Sequence, residues 1–122
     1  MRERGSVSIL VAAALVALLV IAMGSADVVR VLTTAAKAQT AADAAALAAA
    51  QTMAIPEEGA APADLARTYA ARNGGTLQVC ECEPDSFEAI VTVRVPVGRL
   101  FLSGDDRAVT ASARAIVDLP SL

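Results

Sequence analysis

The sequence predicts an α+β protein: a long N-terminal helix that spans a membrane and continues outside it, followed by a short second helix packed on a small three-stranded antiparallel sheet. Three observations predict it. Residues 6–26 carry no charged side chain, neither glycine nor proline interrupts the chain between Gly24 and Pro56, and beyond Gly75 the apolar period changes from about 3.6 residues to 2.

The uncharged run Ser6–Ala26 is roughly 30 Å long as a helix, the thickness of a bilayer's hydrocarbon core. Arg2 and Arg4 precede it and Asp27 opens an acidic far side, so the positive-inside rule places the N-terminus in the cytoplasm and the rest outside the cell membrane. The expected organisation is a cytoplasmic leader at 1–5, a single-pass transmembrane helix at 6–26, its extracytoplasmic continuation at 27–54, and a small α/β domain at 55–122. A cleavable signal peptide competes with this reading, because "MGSAD" puts Gly24 and Ala26 where a signal peptidase takes small residues; cleavage after Ala26 would release a small secreted binding domain. The apolar run is longer than a signal h-region and the helical pattern crosses the cut unbroken, which favours a retained span.

Alanine has the highest helix propensity of any residue, so the helix is expected to run to about Ala54. Val28, Val31, Ala35, Ala38, Ala42, Ala45 and Ala49 recur at alternating steps of three and four, with Arg30, Thr33, Thr34, Lys37 and Thr40 opposite. This flat stripe lets another backbone approach closely and loses no rotamer entropy on burial. Docking on the protein's own sheet and packing against another chain both satisfy it. Leucine at Ala38, Ala42 and Ala45 is therefore expected to disrupt assembly without unfolding the sheet.

"AIPEEGAAP" (54–62) is a loop, and the second helix runs from Pro62 to a stop at "NGG" (73–75). "TLQVCEC" (76–82), "SFEAIVTVRV" (86–95) and "AVTASARAIV" (108–117) are strands, the first two joined by a turn at "EPDS". Phe87, Ala89, Val91, Val93 and Val95 face one side of the second strand, and Val109, Ala111, Ala113, Ala115 and Val117 one side of the third. Small alanines on that strand leave room for a helix to lie close.

Catalytic candidates are few. The chain has no histidine, a net charge of −3, one lysine and no glycine-rich phosphate loop, so it is expected to be no enzyme and to hold no cofactor or metal. Cys80 and Cys82 fall on one face of a strand at the outer limit of disulfide geometry; a bond between them needs a bend, and pairing with partner chains or inert burial are the other readings. Glu81, Glu83, Asp85 and Glu88, with Asp105 and Asp106 in another loop, read as solvated turns rather than a calcium site, having no EF-hand spacing. Leu100, Phe101 and Leu102 stand between glycines in "GRLFLSG", where packing over a sheet edge is preferred to a partner or membrane contact.

"RERGSVSILVAAALVALLV" (2–20) followed by "QTAADAAALAAA" (39–50) resembles the TadE/TadG-like proteins of Flp (tight-adherence) pilus assembly, in particular the short TadE-like proteins encoded near a secretion ATPase. The strand-rich remainder agrees only in pattern. The resemblance implies a non-enzymatic, pseudopilin-like protein, anchored by its N-terminal helix and joining a pilus or a related secretion machine. It implies prepilin-peptidase cleavage after Gly5, leaving Ser6 first, although such prepilins carry glutamate where this chain has Leu10. Its implied partners are the lipid bilayer and other pilin-like or secretion-system subunits, with homo-oligomerisation open and no nucleic acid. A single-span adaptor that forms no polymer is the remaining alternative.

Overall fold

The computed structural model describes residues 3–118, with side-chain environments from residue 5 onward. Arg2, half of the basic leader, lies outside the described residues. Helix α1 (Glu3–Ala54) is unbroken for 52 residues, about 78 Å at 1.5 Å per residue. It ends where Pro56 removes a donor, the last bond running from the Ile55 N–H to the Gln51 carbonyl. Helix α2 (Pro62–Arg72) begins with proline in its first turn and closes in a Schellman motif, in which Gly75 N–H donates to Ala70 O and Gly74 N–H to Ala71 O. Gly74 adopts the left-handed conformation this motif requires, at φ 78°.

Strands β1 (Thr76–Glu81), β2 (Glu88–Arg99) and β3 (Asp106–Ile116) form an antiparallel sheet in the order β1-β2-β3, so the fold is α+β with the predicted elements. One sheet face packs on α1, and α2 packs on α1 beside it. The core they enclose contains Ala38, Ala41, Ala42, Ala45, Ala46, Ala49, Ala66, Ala70 and Ala89 around Val91 and Val93, the largest side chains fully buried. With so little side chain between them, helix and sheet backbones lie close. The outer sheet face is polar: Thr92 and Ser112 hydroxyls are hydrogen-bonded at 2.8 Å, and Arg114 pairs with Glu88.

Several sequence expectations are corrected in detail. The buried stripe of α1 begins at Ala38 and is wider than the three-and-four spacing indicated, taking in Ala41, Ala46 and Ala50, because α1 meets both α2 and the sheet there. Val28 is 58% exposed, and Val31 and Ala35 are half-buried, so within this chain the stripe is only partly covered before Ala38. The "EPDS" turn is a 3₁₀ turn (Pro84–Ser86), after which Phe87 turns left-handed at φ 52° and leaves the inward row it was assigned to. β2 runs past residue 95 to Arg99, because β3 pairs with it as far as Asp106, and Pro96 is tolerated there because β1 begins opposite Arg94 and leaves β2 with only β3 beside it. A bulge between Leu77 and Val79 shifts the β1 register, turning Leu77 and Cys80 inward and Val79 out.

Candidate functional site

The uncharged half of α1 is exposed along its length. Ile9, Leu10, Leu15, Leu18, Leu19 and Ile21 are each more than half accessible, and the most apolar window of the helix has a mean hydropathy of 2.8 with none of it buried. A helix that is apolar all round and leaves its side chains uncovered meets the length and composition required to cross a membrane.

Where this stretch gives way to charged residues, the loop between β2 and β3 closes on the helix. Asp27 is 7% exposed, and its carboxylate accepts two backbone bonds: Oδ1 from the Phe101 N–H and Oδ2 from the Leu102 N–H, both at 2.9 Å. The Leu102 and Phe101 amides, in that order, hold the Asp27 carboxyl below its ordinary range, with a smaller contribution from Arg30 that outweighs nothing but adds to them against desolvation. One turn along, Arg30 Nη1 donates to the Arg99 carbonyl at 3.2 Å while its guanidinium lies 4.7 Å from the Phe101 ring centroid. Arg99 Nε donates to the Gly104 carbonyl at 3.0 Å, and Gly104 N–H returns to Leu100 O at 3.0 Å, so the loop is tied to itself as well as to the helix. Its apolar tip is not folded over the sheet edge, contrary to expectation: Phe101 is 58% and Leu102 60% exposed, and only Leu100 is half-buried. Leu102 Cδ1 instead reaches the helix at Gly24, 3.4 Å from where a β-carbon would stand.

The other candidate residues lie elsewhere. Ala38, Ala42, Ala45 and Ala49 are fully buried inside this chain's own domain. Leucines there would be forced into that core, so the expectation that the triple replacement spares the sheet does not follow from this geometry. Gly5 and Ser6 sit on α1, exposed, with nothing within 4 Å of a β-carbon placed on Gly5. Cys80 and Cys82 are bonded to each other, their Cα atoms 5.3 Å apart, closer than two residues of a regular strand allow, and β1 ends at Glu81 between them. Beside them Glu81, Glu83, Ser86, Glu88 and Ile90 line a shallow cavity of about 460 Å³. Among the described residues no three His, Cys, Asp or Glu side chains are grouped to hold a metal ion.

A family model described as "Putative Flp pilus-assembly TadE/G-like" matches residues 5–52. The long helix is similar to that family. The matched segment is almost the whole of α1, including the exposed apolar half, Asp27 and the buried alanines, and it is less than half of the chain. No curated protein and no solved structure matches the chain. Outside the TadE/G-like helix, α2 and the sheet therefore rest on their own geometry. Sequence reasoning passed over the Asp27 clamp: an aspartate after an apolar run reads as the end of a span, and its partners are 74 and 75 residues away.

Proposed function

We propose that this protein is a membrane-anchored, non-enzymatic, pseudopilin-like component of a Flp/Tad-type pilus or a related secretion system. Residues 6–26 span the cell membrane with the N-terminus in the cytoplasm, and 27–54 and 55–122 stand outside it. The observation that carries this reading is the continuity of one TadE/G-like helix, bare and apolar in its first half and docked on a small domain in its second. In water the bare half would expose an apolar surface far larger than soluble monomers tolerate, whereas lipid or neighbouring helices cover it. Contacts with other pilin-like subunits run through this exposed half, because the alanines from 38 to 49 are occupied within the chain. Processing after Gly5 and self-association belong to the same proposal.

Intact mass and N-terminal sequencing of the protein from its native membrane, combined with cross-linking, test the reading. A chain starting at Met1 or Ser6 in the membrane fraction, cross-linked to pilus subunits, supports it. A start at Asp27 in the medium identifies a secreted domain and overturns it, and a membrane monomer cross-linked to no pilus subunit reduces the protein to an adaptor.

A further inference from the structure

We infer that the β2–β3 loop is a second membrane contact, with Phe101 and Leu102 inserted into the lipid interface beside the span. The inference rests on the membrane reading above. Four observations on the loop carry it. Its two large apolar side chains are more than half exposed although they stand at a turn between aspartates and arginines, where solvated polar residues are the norm. Their backbone is fixed to the helix: the Asp27 carboxylate accepts from the N–H of both residues, so the side chains are not needed to anchor the loop and stay more than half exposed. The attachment is at one height on α1, with Leu102 against Gly24, two residues before the uncharged run ends, and the backbone clamped by Asp27, one residue after it. Leu102 therefore lies roughly 3 Å on the apolar side of the boundary, at 1.5 Å per residue. Finally, Arg30 lies over the Phe101 ring and Arg99 bonds the far side of the loop, which puts cations level with lipid phosphates when the tip is in the headgroup layer. A span alone leaves the domain free to swivel; a span with a foot fixes which sheet face points away from the bilayer.

The chain contains no tryptophan, so a single introduced one reports only its own position. The full-length protein is reconstituted in phosphatidylcholine–phosphatidylglycerol vesicles, with lipids brominated either near the headgroup or near the chain end. Four variants are compared: Phe101→Trp, Leu102→Trp, Leu15→Trp within the span, and Ile55→Trp at the far end of α1, which is 73% exposed. The expected result is blue-shifted emission from the tryptophans at 101 and 102, quenched most by bromine near the headgroup. Leu15→Trp should be quenched most near the chain end, and Ile55→Trp by neither. Leu15→Trp quenched while both loop variants emit like Ile55→Trp overturns the foot and leaves the span standing. Leu15→Trp unquenched overturns the span and the foot together. Asp27→Asn in the Leu102→Trp background should weaken headgroup quenching; unchanged quenching would show that the clamp does not position the tip.

Discussion

Leucine in place of Ala42 separates packing within the chain from packing between chains. Ala42 is fully buried in the cluster that contains Val91 and Val93, so three added carbon atoms have no void to enter. Overpacking a filled core costs typically about 1–3 kcal/mol. Since 1.4 kcal/mol is a factor of ten, the opening equilibrium of the domain should rise roughly 5- to 150-fold. The thermal midpoint of a unit this small should fall by about 4–8 °C for each kcal/mol. Small single cores supply only about 3–5 kcal/mol, so adding leucine at Ala45 as well should leave the sheet largely unfolded. Amide hydrogen exchange read on residues 91–95 is the suitable assay, because circular dichroism would be dominated by the 52 residues of α1. Leu47→Ala, at a position 56% exposed on the same helix, is the control and should change exchange little. If Ala42→Leu leaves exchange in β2 as in the parent while pilus subunits no longer co-purify, the stripe packs against another chain and the intramolecular argument is wrong.

Two further outcomes follow from local geometry. The folded-state carboxyl of Asp27 is held below its ordinary range, so the stability it contributes is fully present above that range and is lost only as pH falls through the lowered value. Protection of the Phe101 and Leu102 amides should accordingly persist from neutral pH down through ordinary carboxylate titration, and Asp27→Asn, which has one acceptor oxygen for two donors, should expose one of them at pH 7. Equal protection in the variant would mean that the carboxylate does not hold the loop. Gly75→Ala would drive a β-carbon into a γ-methyl of Val93 and to 3.3 Å from both Ala41 and Val95, a cost of about 1–3 kcal/mol by overpacking. A melting midpoint equal to the parent's would show that α1 and β2 are less closely apposed here than the structure indicates.

The sequence by itself determined the elements whose causes are local. A charge-free run fixed the bare first half of α1, the absence of proline up to Pro56 fixed where that helix stops, and "NGG" fixed the end of α2 through a left-handed glycine. Alternation along β2 and β3 marked the inward valines and alanines correctly except at Phe87, where a left-handed turn overrides the period of two. Even the pilus-assembly resemblance is carried by the contiguous matched segment 5–52. Tertiary structure alone decided what the alanines face, because a thin stripe suits a sheet and a second helix equally well until a strand is seen to occupy it. It also decided that Cys80 and Cys82 meet, since that depends on β1 ending at Glu81. The clearest case is Asp27: its meaning lies in two amides more than 70 residues away, which no local pattern announces and only the closure of the β2–β3 loop onto the helix brings within 2.9 Å.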